Sequence, residues 1–188
     1  MTANADKLAQ LVLYIIGRVE NPGDLDMTKI QKILWFSETE HFARTGRPIS
    51  GAGFVRADYG PCCPDSKAAV TTLQASGRVV EHKVPFGSDT QRQFVALTEP
   101  DLSMFTAEEI SIVDYMIDAI TRHHTARSIS DVSHSRIWER LKNGDPMPLT
   151  TVFGADLDDP DEEDFAWAAD AVSDETLREW RTPPALPQ

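Results

Sequence analysis

Five histidines and two cysteines are the residues of this sequence best suited to chemistry, and their spacing decides what they can do. The cysteines are adjacent, and the histidines are scattered along the chain: Cys62, Cys63, His41, His82, His123, His124 and His134. Zinc ligands usually occur in C-x-x-C or H-x-x-x-H pairs, and neither pair occurs here. Adjacent cysteines rarely satisfy disulfide geometry with each other. We therefore predict a packed loop at Cys62-Cys63, no metal site and no disulfide framework.

His134 is the one histidine with a serine on both sides, Ser133 and Ser135. Together with a distant carboxylate, these residues would suit a nucleophilic hydrolase. However, the sequence has no G-x-S-x-G elbow, no phosphate-binding P-loop and no dinucleotide-binding glycine pattern. We therefore predict a binding protein without catalytic residues or a cofactor, with a hydrolase that uses His134 as an alternative.

The charge of the chain is concentrated at its C-terminal end. The 188 residues have a net charge of −12, and residues 156–188 account for −9 of it, with 11 acidic residues against Arg178 and Arg181. Proteins that bind phosphate backbones need the opposite balance, so nucleic acid is disfavoured and a basic protein partner is favoured. This shift in composition predicts a domain at 1–155 and an acidic extension at 156–188 that carries one or two short helices.

The chain has no apolar run long enough to cross a bilayer. Its first residues lack the basic and apolar regions of a secretory signal. We therefore expect a cytoplasmic protein that is not embedded in a membrane.

Apolar residues recur at helical spacing in several segments. Thr28 suits the N-cap of the second helix and Gly46 its C-terminal end, and Thr106 with Glu109 forms a capping box before a later helix. The predicted helices cover residues 6–20, 28–45, 64–76, 107–123, 128–133 and 135–142. We expect a mainly α domain, followed by the acidic C-terminal tail.

A small β element interrupts the helices. Residues 78–84 and 91–97 predict two strands around a turn at 85–90, with the hairpin packed beside helix 64–76. A helix followed by a hairpin resembles a winged-helix element, so a DNA-binding regulator of its own operon is a second alternative. That helix, however, has only Lys67 as a cation, which is a poor footprint for DNA.

The segment 46–61 has four glycines and two prolines, too many for a helix. It predicts an ordered loop with a short strand at Phe54–Arg56, which could also add a third strand to the hairpin. Aromatic residues interleave with arginines in this loop, a mixture typical of protein-binding hot spots. The predicted partner-binding residues come from this loop, the next helix and the tail: Arg47, Phe54, Arg56, Tyr59, Asp65, Phe165, Trp167 and Trp180.

Several short stretches resemble one family, the SocA-like or phage-associated GepA-like antitoxins with a Panacea domain. The stretches occur in the family's order over about residues 6–150: Thr28-Lys-Ile-Gln-Lys32-Ile-Leu-Trp-Phe36, Gly46-Arg-Pro-Ile49, Tyr59-Gly-Pro61, Ser128-Ile-Ser-Asp-Val-Ser-His134 and Trp138. Two positions depart from the pattern. Trp35 stands where tyrosine is usual, and Cys62-Cys63 stand where a small apolar residue is expected.

The resemblance implies a compact, mainly α antitoxin, encoded beside a toxin gene in bacteria and their phages. Such a protein neutralises its toxin by direct binding, and the toxins of the family are very diverse. Some SocA-like members resemble adaptors that deliver the toxin to a Clp-type ATP-dependent protease. The family has no catalytic residues to carry over, and the acidic tail lies outside the resemblance.

Overall fold

The computed structural model describes residues 4–87, 89–154 and 162–163. The chain divides into two compact units, Met1–Asp156 and Leu157–Gln188. The first unit contains the following helices and strands. Its α-helices are α1 (Ala5–Arg18), α2 (Met27–Thr45), α3 (Pro64–Ala75), α4 (Ala107–His123), α5 (Ala126–Val132) and α6 (Arg136–Arg140). Its strands are β1 (Val55–Ala57), β2 (Gly60–Cys62), β3 (Val79–Phe86) and β4 (Asp89–Ala96). The prediction of a mainly α domain with a small β-hairpin is confirmed.

The helices α1 and α2 form the centre of the hydrophobic core. The apolar positions of α1 that predicted a helix are all buried: Leu8, Leu11, Val12, Ile15 and Ile16. In α2, the prediction of Thr28 as the N-cap is wrong. The side chain of Asp26 accepts from the backbone N–H of Lys29 at 2.9 Å, so the helix begins one residue after Asp26. Gly46 ends α2 as predicted, with a φ of 69° that favours glycine.

The helix α4 packs against α2 and also contacts α1. Its predicted capping box is confirmed, with reciprocal bonds between Thr106 and Glu109. The Glu109 carboxylate also accepts from Lys7 of α1 at 2.8 Å, which joins the start of α4 to α1. The short helices α5 and α6 follow with Thr125 and Ser135 as their N-caps.

The hairpin β3–β4 is longer than predicted, because its strands pair up to the contact between Phe86 and Asp89. Its turn is therefore two residues long, with Gly87 at a φ of 61°. As predicted, the hairpin packs against α3, and β4 also contacts α1. At that contact Gly17 faces the side chain of Ala96, and an added Cβ at Gly17 would lie 3.4 Å from it.

Residues 46–63, here called the glycine-rich loop, form their own two-stranded antiparallel sheet. Val55 pairs with Cys62 and Ala57 with Gly60, and neither strand joins β3 or β4. The strand begins at Val55 rather than at the predicted Phe54. The extended segment 144–147 lies on the other side of β1, where the N–H of Met147 donates to the Phe54 carbonyl at 2.8 Å.

Polar side chains of α2 hold the glycine-rich loop in place. Buried Gln31 bonds both the N–H of Cys63, at 2.6 Å, and its carbonyl, at 3.2 Å. Buried Glu38 accepts from the backbone N–H groups of Ile49, at 2.7 Å, and Ser50, at 2.8 Å. Loop backbone that is buried needs such partners, since no water reaches it. The helix therefore buries polar as well as apolar residues.

Replacing Glu38 by alanine should lower the free energy of unfolding by about 3 kcal/mol, because two buried N–H groups lose their acceptor. Urea unfolding followed by circular dichroism measures this loss. Glu40→Ala is the matched control on the same helix. Glu40 pairs with Arg44 at the surface, so its loss should cost about 0.5 kcal/mol. Equal losses in the two variants would contradict the role given to Glu38.

Candidate functional site

The exposed large hydrophobic side chain of the glycine-rich loop is Tyr59, at 73 % exposure. It lies with Asp58 in the two-residue turn between β1 and β2. Gly60 follows with a φ of 92°. An added Cβ at Gly60 would lie 2.1 Å from the Ser133 hydroxyl oxygen and 2.5 Å from Lys32 Nζ. Only glycine fits this position, because both the backbone angle and the close approach exclude a side chain.

The indole of Trp138 in α6 supports the first strand of this turn. Its Nε1–H donates to the Ala57 carbonyl at 3.0 Å. The His134 ring stacks on Trp138 with centroids 3.6 Å apart, and the Arg56 guanidinium lies 4.2 Å from the indole centroid. Stacking and cation–π contacts of this kind favour a fixed arrangement of the three side chains. Arg56 therefore belongs to the base of the turn.

Lys32 supports the second strand of the turn from inside the protein. Its side chain is 1 % exposed, and its Nζ donates to the Pro61 carbonyl at 3.0 Å. Burial lowers the pKa of Lys32 to about 8, and the nearby Cys62 acts in the opposite direction. The ammonium thus lies directly beneath Gly60, in a place where a charge is costly.

His134 and its serine neighbour do not form a nucleophile and base. The Ser133 hydroxyl donates to the Ser130 carbonyl at 2.6 Å. His134 Nε2 is buried and has no hydrogen-bond partner among the described residues. Burial lowers the pKa of His134, and the charge of Lys32 adds to this effect. The geometry gives the hydrolase alternative no support, since a general base must be within reach of the proton it removes.

A cleft of about 480 Å³ opens between the turn and α5. Tyr59 forms one wall and α5 the other, with His134 at one end. The lining residues are Thr28, Asp58, Tyr59, Ala126, Arg127, Ser130, Asp131 and His134. The lining has one cation, Arg127, beside the carboxylates of Asp58 and Asp131, and the exposed ring of Tyr59.

The other predicted site residues that the structure describes do not line this cleft. Phe54 is 4 % exposed and meets the Trp35 ring edge-on at 5.0 Å. It belongs to the core and is not available to a partner there. Arg47 is exposed, and its carbonyl accepts from His41 Nδ1 at 2.7 Å. Asp65 is exposed in the first turn of α3 and lines a separate cleft beside α1. Phe165, Trp167 and Trp180 lie outside the described residues.

Lys32 was not among the predicted site residues. Its sequence signal was weak but present: a lysine on the same side of α2 as apolar residues, in a helix that is otherwise buried on that side. A lysine in such a position is either paired or functional, since lysine is rarely buried completely.

The cysteines and the helix α3 were each candidates for another kind of site. Cys63 is buried at the start of α3, and burial raises its pKa to about 11. Among the described residues, no three metal-ligating side chains are grouped to hold a metal ion.

The exposed charged residues of α3 are Asp65 and Lys67, whose opposite charges cancel. This face offers DNA phosphates no net attraction.

None of the described helices combines the length and the apolar character needed to span a bilayer.

Replacing Lys32 by methionine should remove a pH dependence of stability. The pKa of Lys32 is about 8 in the folded chain, against its ordinary value of 10.5 in the unfolded chain. The unfolded state therefore binds more protons than the folded state between these pH values. From pH 7 to pH 10, the free energy of unfolding of the wild type should rise by about 2 kcal/mol relative to that of Lys32→Met. Urea unfolding at several pH values measures the difference. Parallel curves for the two proteins would contradict the buried charge.

Comparison with known proteins places this site within a family. A family model described as "Antitoxin SocA-like, Panacea domain" matches residues 30–139, more than half of the chain. Searches of curated proteins and of solved structures found no match. The matched range includes Lys32, the Tyr59 turn, His134 and Trp138, so the whole support of the turn lies within it. The chain belongs to the SocA-like Panacea antitoxin family.

Proposed function

We propose that this antitoxin neutralises a cognate protein toxin by direct binding, without enzymatic turnover, through the Tyr59 turn and the cleft beside it. The observation that carries the proposal is the exposure of Tyr59 on a turn whose two strands are held from beneath. Tyrosine contributes large binding energy when a partner buries it. A turn that is already fixed loses little conformational entropy on binding.

The cleft gives the surface its shape. Because Tyr59 forms one wall, a side chain of the toxin can enter beside the ring and contact both the ring and α5. Asp58 and Asp131 add carboxylates at this cleft. These charges, together with the net charge of −12 for the chain, favour a toxin with a basic surface.

Delivery of the bound toxin to a Clp-type ATP-dependent protease is a second step, which the family resemblance implies for some members. It requires toxin binding first, so the binding surface is the part to test. Rescue of growth in cells that lack the protease would show that binding alone neutralises the toxin.

Replacing Tyr59 by alanine should weaken binding of the protein encoded by the adjacent toxin gene about tenfold or more, the usual loss for an aromatic hot spot. Isothermal titration calorimetry measures the affinity. Tyr115→Ala is the matched control, since Tyr115 is 68 % exposed on α4 and does not line the cleft. It should leave the affinity within twofold. An equal loss in both variants, or none in Tyr59→Ala, would rule out this surface.

A chain that ends at Ala155 should melt at the same temperature as the full chain but bind the toxin more weakly and with less dependence on salt. The truncation removes a net charge of −9, which steers a basic partner. It also removes Phe165, Trp167 and Trp180, which are available as anchors. Differential scanning calorimetry and titrations at two salt concentrations measure both effects. A lower melting temperature with unchanged affinity would show that the extension belongs to the fold.

A further inference from the structure

The turn that bears Tyr59 is held at two carbonyl groups, one on each strand. Trp138 Nε1 donates to the Ala57 carbonyl at 3.0 Å, and Lys32 Nζ donates to the Pro61 carbonyl at 3.0 Å. Tyr59 lies midway between Ala57 and Pro61 in the sequence. The two donors come from α2 and α6, which are far apart in the sequence. Together the two hydrogen bonds hold the turn from both strands.

We propose that Lys32 is a positioning residue, which holds the Tyr59 turn in its binding geometry through the Pro61 carbonyl and the close contact with Gly60. This inference rests on the proposed function, since it concerns the same surface. Lys32 does not contact the partner itself, because its side chain is 1 % exposed. Its effect on binding passes through β2.

Stability of the fold does not account for a lysine at this position. Removing an ammonium from water is expensive, and the bond to one carbonyl restores only part of that cost. A methionine of similar length would fill the same buried space without a charge. A costly buried group that bonds the binding turn is typical of a site where function, not stability, selects the residue.

The groups around the ammonium give it a specific electrostatic setting. Cys62 of β2 raises the pKa of Lys32, and His134 faces Lys32 from the link between α5 and α6. Arg56 of β1 and Asp131 of α5 act on His134 in opposite directions. A protonated lysine donates a stronger hydrogen bond than a neutral amine does. The turn is therefore held most firmly below the pKa of Lys32, which is about 8.

Lys32→Met tests the inference, with Lys29→Met as its matched control. Lys29 is also buried on α2, and its Nζ makes no hydrogen bond to the glycine-rich loop within the described residues. In Lys32→Met we expect an equal or higher melting temperature and about tenfold weaker affinity for the product of the adjacent toxin gene. Hydrogen exchange in the peptide that covers residues 55–63 should be faster. Lys29→Met should match the wild type in affinity and exchange.

A pH profile separates positioning from general damage to the fold. The affinity of the wild type should fall severalfold between pH 7 and pH 9.5 relative to the affinity of Lys32→Met measured at the same pH values. Titration of groups on the toxin occurs in both measurements and cancels in the comparison. A parallel loss of melting temperature and affinity, or identical pH profiles, would overturn the inference.

The exchange measurement needs no toxin, so it separates this inference from the proposed function. If the wild type fails to bind the toxin, the proposed function is wrong. If residues 55–63 exchange at the same rate in wild type and Lys32→Met, the positioning role is wrong, whether or not the toxin binds.

Discussion

The fold depends on a single requirement: the buried backbone of the glycine-rich loop must find hydrogen-bond partners. The helix α2 supplies them from its side chains, with Gln31 at Cys63, Glu38 at Ile49 and Ser50, and His41 at Arg47. These bonds span the loop from one end to the other. A loop with this many glycines has a high conformational entropy when unfolded. Its single conformation is therefore imposed by the helix it packs against.

The sequence predicted those elements whose signals are local. The apolar spacing of α1, the capping box at Thr106 and the glycine at the end of α2 each act within a few residues, and each appears in the structure. The N-cap of α2 was misplaced because Asp26 and Thr28 are both good caps, and the choice between them depends on how the chain enters the helix. Phe54 was misassigned because an aromatic residue in a glycine-rich segment has no periodicity that tells inside from outside.

The support of the candidate site is a product of tertiary structure. Lys32, Gly60 and Trp138 are far apart in the sequence, and their meeting depends on the packing of α2, the loop and α6. Family resemblance found the same stretches without showing why they belong together. The contacts supply a reason for most of them: Lys32, Gly60, His134 and Trp138 belong to the Asp58-Tyr59 turn or to its base. The stretch 46–49 is bonded by Glu38 and His41 instead.

Gly60 has a consequence for how this surface can evolve. The residue has no side chain, and the donors beneath it bond carbonyl groups, which every amino acid has. The side chain of residue 59 thus does not enter the bonds that hold the turn, whereas the Asp58 carboxylate accepts from Asn143 Nδ2 at 2.6 Å and pairs with Arg56 at 3.3 Å. Substitutions at position 59 therefore change what the surface presents to a partner and leave these hydrogen bonds intact. If the Tyr59 turn binds the toxin as proposed, a substitution at position 59 alters the choice of partner while the hydrogen bonds that hold the turn are kept.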